Sequence, residues 1–149
     1  MLVDSHCHLD YFTEAEIDAL LDRARAAGVG CMVTIGVRAS QAPAVKALTE
    51  RYADVWGTIG VHPHNAGEGE MPTVEELVAL ADHPRIIGIG ESGLDYFYDK
   101  SPREVQAEGF RRHIRAARAA GLPLAIHARQ ADDDIIRILR EERAAGGDF

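Results

Sequence analysis

Short apolar runs alternate along this chain with longer stretches in which apolar residues return every three or four positions. The runs are Leu2-Val3, Cys31–Ile35, Val55–Val61, Ile86–Ile89 and Leu122–Ile126, brief and rich in β-branched residues, as strands are. Between the first two, Ile17, Leu20, Leu21 and Ala24 mark one face of a helix. Thr13 and Glu16 stand in capping-box spacing ahead of it, and Gly28 ends it. Thr73 and Glu76 repeat the box before Leu77 and Leu80. Ser101 and Glu104 repeat it again, with Pro102 at the first helical position, and Gly121 closes that longer helix. The spacing also predicts a helix over about 41–52 and a last one from near Asp132 through Ile135, Ile136 and Leu139 to Arg143.

This order predicts an α/β fold of parallel strands joined by right-handed crossovers, with helices covering the sheet. A closed eight-unit barrel takes about 250 residues, and a doubly wound sheet more often opens on a glycine-rich phosphate loop. Here the first strand runs out into histidines instead. No repeat of fixed period, low-complexity tract or linker interrupts the series, so residues 1–149 read as a single domain. The stretch Ala144–Phe149 reads as a helix stop followed by the lead-in to a further strand, as if the series continued.

Composition narrows the function classes. With 46% apolar residues the chain can bury a core, and its net charge of −8 gives no general attraction to polyanions. A nucleic-acid substrate would have to be held by local groups or bound metal, which excludes nonspecific coating of DNA. Neither a signal-peptide pattern nor an apolar run of membrane-spanning length is present, and the expected compartment is cytoplasmic, with no membrane partner. Cys7 and Cys31 fall at opposite ends of neighbouring parallel strands. They are expected to be unpaired, small buried hydrophobes.

The candidate chemistry sits where strands end. In extended chain His6 and His8 project from one face and Cys7 from the other, so two imidazoles converge on one point. Gly90-Glu91-Ser92-Gly93 places a carboxylate after the fourth strand, and His127 follows the fifth. Ligand sites in parallel α/β folds lie at the carboxyl ends of the strands, so His6, His8, Glu91 and His127 should share one rim. A carboxylate can bridge two cations, which makes Glu91 the natural shared ligand of a two-metal centre.

Four ordered motifs carry a family resemblance: Asp-Ser-His-Cys-His-Leu-Asp at 4–10, Gly-Val-His-Pro-His at 60–64, Gly-Glu-Ser-Gly-Leu-Asp-Tyr at 90–96 and Ile-His-Ala-Arg at 126–129. In these the chain resembles the TatD family of metal-dependent deoxyribonucleases, within the amidohydrolase-like barrels. The resemblance implies a TIM-type barrel of which about five of the eight (β/α) units are present, the C-terminal strands being absent. It implies His6 and His8 on one divalent ion, Glu91 bridging and acting in catalysis, and His127 on a second ion. The family's further histidine and aspartate ligands have no counterpart here. The implied reaction is hydrolysis of DNA phosphodiesters by metal-activated water, impaired in so short a chain. Mg²⁺ or Mn²⁺ suits phosphate chemistry and Zn²⁺ suits the imidazoles. An unclosed barrel should also expose strand edges and self-associate.

Other residues carry lesser assignments. His62 and His64 line the substrate pocket or form an ordinary turn with Pro63 and Asn65. Arg129 is placed to reach a phosphate, and Asp95 to orient a ligand histidine. Tyr96, Phe97 and Tyr98 offer a base-stacking platform, at least one of them packing the loop instead. Arg111, Arg115 and Arg118 read as a solvated helix face, Asp132–Asp134 as a helix start, and His83 and His113 as loop and surface residues. The rival functions are hydrolysis of another ester, such as an aminoacyl ester on RNA, and a non-catalytic fragment.

Overall fold

The computed structural model describes residues 1–146, and the expected strand lead-in at 147–149 lies outside the described residues. Five parallel strands, β1 (Leu2–Cys7), β2 (Val29–Ile35), β3 (Val55–Ile59), β4 (Ile86–Asp95) and β5 (Leu124–Arg129), form one sheet in chain order. The helices α1 (Glu14–Ala26), α2 (Ala42–Arg51), α3 (Val74–Ala81), α4 (Arg103–Ala120) and α5 (Asp132–Gly146) follow the strands in turn. The sheet curls as an unclosed part of a TIM-type α/β barrel. Among the described residues no helix is long and apolar enough to cross a membrane.

The helix starts follow their capping signals in two of three cases. Glu16 Oε2 accepts the Thr13 amide at 2.8 Å, and Thr73 and Glu76 exchange bonds of 2.8 and 3.2 Å. Ser101 departs from the expectation. Pro102 takes the N-cap position without a side-chain bond, while the buried Ser101 hydroxyl donates to the His64 carbonyl and accepts the Gly67 amide. A long loop passes beside it, and satisfying that loop's backbone outweighs capping a helix whose first residue follows a proline.

Three apolar clusters fill the space between sheet and helices. Val45, Ile59, Leu77 and Ile89 centre the first, Ile17, Leu21, Met32 and Val55 the second, and Leu94, Phe110, Ile114 and Ile138 the third. Arg111, Arg115 and Arg118 are not a solvated face. Arg111 and Arg115 bind the carboxylate of Glu142, which is 3% exposed, and Arg118 donates to its backbone carbonyl, so the arginine stripe docks α5 on α4. The edges are open: Leu2 is 63% exposed and Val3 56% on β1, and Ile126 is 41% exposed on β5. Both cysteines are free and half-buried, less enclosed than expected.

Two strands run further than their apolar cores. β1 continues through Asp4 and His6 to Cys7, and β4 continues past Ile89 to Asp95. Beyond an irregularity at Gly90-Glu91, β4 pairs Gly93 with His127 and Asp95 with Arg129. Glu91 therefore lies inside the strand rather than at its end. Gly60 and Gly90 make the close approach possible, since a Cβ on Gly60 would sit 2.4 Å from the Gly90 Cα.

Candidate metal centre

At the carboxyl ends of the strands a pocket of about 280 Å³ gathers His6, His8, His62, His64, Glu91 and His127, with Tyr11 and Val37 on its wall. The period of two in β1 turns Cys7 away, as expected: its thiol donates to the Val33 carbonyl at 3.3 Å, and burial, then Asp4 and Asp10, push it up to about 12. His8 Nδ1 lies 3.2 Å from the Ile35 carbonyl, to which it donates, so the Nε2 lone pair remains for a cation. Tyr11, brought round by a short 3₁₀ turn, stacks on the same ring at 5.2 Å.

Glu91 is 6% exposed, and its two oxygens face different histidines. Oε2 stands 3.4 Å from His6 Nε2, and Oε1 stands 3.1 Å from His127 Nδ1. Burial pushes this carboxyl up, but the hydrogen bond with His127 and the fields of His62 and His6 outweigh it and hold it below the usual carboxylate range. The bond with Glu91 in turn draws His127 upward.

Asp95 is fully buried and is the hub of the second layer. Its Oδ2 accepts from His64 Nε2 at 2.7 Å and from His127 Nε2 at 3.0 Å, while Oδ1 accepts the amides of Phe97 and Tyr98. Burial alone would raise it; the Tyr98 amide and the two histidines hold it at about 2. Gln106 fixes its backbone, accepting the Asp95 amide at 2.8 Å and donating to the carbonyls of Asp95 and Ser101. Asp95 thus holds the far nitrogen of His127.

The ring nitrogens fit a cation better than they fit one another. His62 Nδ1 accepts the His64 amide at 3.0 Å, which puts the ring hydrogen on Nε2. That Nε2 lies 3.1 Å from His127 Nδ1, which also lies 3.1 Å from Glu91 Oε1. His127 Nδ1 cannot accept from one neighbour and donate to the other. A divalent cation held by His127 and Glu91 would resolve the conflict, and would leave His62 Nε2–H as a donor into the pocket. His6, His8 and Glu91 form a second set whose donor atoms lie within 4.8 Å of one another.

The Arg129 guanidinium lies against the rings of Phe97 and Tyr98. Tyr96 is a packing residue instead, donating to Asp134 Oδ2 at 2.7 Å. His83 sits in a loop against Glu50, as expected, whereas His113 is no surface residue. It is fully buried on α4; Nε2 accepts the Val61 amide at 2.9 Å, and Nδ1 donates to the Gly109 carbonyl at 2.7 Å. It thereby pins the backbone next to His62. Its signal was its place in the stripe Gly109, Phe110, His113, Ile114, Ala117, which is buried throughout.

The family model described as TatD related DNase matches residues 3–149. The metal-dependent hydrolase YabD of Bacillus subtilis is 36% identical over 150 residues, taking in 99% of this chain and 59% of its own length. The 3′-5′ ssDNA/RNA exonuclease TatD of Cronobacter turicensis is 37% identical over 122 residues, 82% of this chain and 46% of its own. The crystal structure of YJJV, a TatD homolog from Escherichia coli K12, superposes with a TM-score of 0.86 at 28% identity, covering 95% of this chain and 56% of that one. The chain therefore spans about half the length of these relatives, from 46% to 59%. By sequence and by fold it belongs to the TatD-related DNase family.

Proposed function

We propose that this rim serves hydrolysis of phosphodiester bonds in DNA, as part of a divalent-metal-dependent nuclease. The observation that carries the reading is the single carboxylate of Glu91 turned with one oxygen to His6 of β1 and the other to His127 of β5. His6 and His8 would hold one ion, His127 the other, and Glu91 both. When bound, the ions would acidify a water and take up charge developing on the phosphate; the imidazoles favour Zn²⁺ over Mg²⁺, with Mn²⁺ between.

The chain's own residues do the positioning. The Ile35 carbonyl orients His8, and Asp95 orients His127. His62 offers Nε2–H to a non-bridging phosphate oxygen, and the burial that first depresses it, to about 4, keeps it a neutral donor. His64, tied to Asp95, walls the pocket beside it.

Two measurements test the reading. Titration with Mn²⁺, followed by electron paramagnetic resonance, should show a coupled pair of ions that Glu91→Gln converts to isolated ones. Nucleotide release from single-stranded DNA, with and without chelator, should depend on added metal and collapse in Glu91→Gln. The rate should be small in the 149-residue chain beside one extended to the relatives' full length. Chelator-resistant cleavage, or full activity in the variant, would end the proposal.

A further inference from the structure

Most arginines of this acidic chain are spent on carboxylates or backbone carbonyls: Arg25 on Asp54, Arg38 on Glu68, Arg103 on Asp99, Arg137 on Asp134. Arg129 is different. Among the described residues it has no ion pair or hydrogen-bonding side chain, and its guanidinium lies 4.9 Å from the centre of Phe97 and 4.7 Å from that of Tyr98. Aromatic rings hold a guanidinium in place without using its N–H donors, so all five remain for an oxyanion. Lys100 lies 5.8 Å from the same Tyr98 ring, likewise unpaired among the described residues.

The nearby acids cannot neutralise this pair. Asp95 is buried on His64 and His127, Asp99 is taken by Arg103, and Asp134 is shared by Arg137 and Tyr96. Phe97 is 53% exposed and Tyr98 50%, with their rings edge to face at 4.8 Å. Tyr98 also meets His64 of the pocket at 5.4 Å, so the cluster adjoins the rim directly. Arg129 and His127 are two residues apart on β5 and so project to the same face, about 7 Å apart along the strand.

We infer that Arg129, Phe97, Tyr98 and Lys100 form a nucleotide subsite beside the metal centre, taking the phosphate adjoining the scissile one on Arg129 and an unstacked base on the exposed rings. The inference rests on the proposed nucleic-acid substrate, and it commits to a single strand, because a paired base has no free face to offer. Arg129 supplies the charge, Tyr98 and Phe97 the stacking surface, and Lys100 the local field that the chain's overall charge lacks.

Binding of a fluorescent oligothymidylate octamer to the 149-residue chain in chelator separates this inference from the hydrolytic reading, because no cleavage is needed. Arg129→Gln should weaken binding about tenfold and lower the salt dependence by roughly one phosphate contact, about 0.7 in the log–log slope. Tyr98→Ala should leave that slope unchanged and remove the advantage of the octamer over an abasic one of equal length, about tenfold. Arg140→Gln, an exposed charge on α5, controls for net charge and should change neither. In an ¹⁵N-labelled chain the Arg129 side-chain N–H should shift on titration. Failure to bind the octamer, an Arg129→Gln slope equal to that of the parent, or an Arg140→Gln effect as large as that of Arg129→Gln would each overturn the subsite. Loss of metal-dependent cleavage with binding intact would overturn the hydrolytic reading alone.

Discussion

Replacing His113 by Leu should change how stability depends on pH more than it changes the fold. In the native chain this imidazole is fully buried, accepting the Val61 amide and donating to the Gly109 carbonyl, and burial lowers it to about 4. An unfolded histidine takes up its proton near pH 6.5. Between those two values the unfolded chain binds a proton that the folded chain refuses, so stability rises with pH. The contribution is complete above about pH 6.5 and is lost as pH falls toward 4. At ~1.4 kcal/mol per unit, a shift from 6.5 to 4 is worth about 3 kcal/mol. His113→Leu abolishes that linkage, but strands the Val61 N–H, which costs about 1–3 kcal/mol at neutral pH. Urea unfolding at half-unit steps from pH 7.5 to 4 therefore gives a parent curve that falls toward the variant's. The carboxylates common to both chains cancel in the difference. Parallel curves would refute the buried neutral histidine.

The remaining expectations concern residues outside the pocket. Cys7→Ser should leave Mn²⁺ affinity within about twofold while costing on the order of 1 kcal/mol in unfolding, and native Cys7 should resist alkylation at pH 8; loss of metal affinity with the fold intact would put the thiol in the site. Glu142→Ala should release α5 from α4, raising hydrogen exchange across 132–146. Its cost should be about 2 kcal/mol, below that of a fully enclosed pair, because Arg115 is half exposed and water replaces part of the bond. Unchanged exchange would show that the apolar contacts of Ile135 and Ile138 dock the helix alone.

The strand–helix rhythm was legible because burial on one face leaves periodic traces, and the Thr13 and Thr73 boxes were legible because their bonds join residues three apart. What escaped depended on partners distant in sequence. Ser101 looks like a cap until the 62–68 loop arrives beside it, and Arg111, Arg115 and Arg118 look solvated until α5 brings Glu142. His113 looks like a surface residue by type alone, but its place in the apolar stripe of α4 buries it. The apolar run of the fourth strand stops at Ile89, yet the glycines beyond it let β4 run on against β5 and carry Glu91 inside the strand. The convergence of His6, His8, Glu91 and His127 in one pocket follows from where their strands end. The role of Asp95 as acceptor for two histidines and two amides needed the fold.

The order of strands has a mechanical consequence. β1 and β4 are separated by two intervening strands, so in a flat sheet their axes would be about 14 Å apart. His6 and Glu91 nevertheless approach to 3.4 Å across the hollow. The spacing of the donor atoms is therefore a gauge of curvature: each small change in the splay between neighbouring strands is counted three times before it reaches the pair. A cation held by both would act as a chord across an arc, stiffening the sheet against opening, and by reciprocity whatever flattens the arc weakens the cation's hold. Packing beneath the outer helices, at Val45 or Leu77, would then bear on that hold through the angle of the strands.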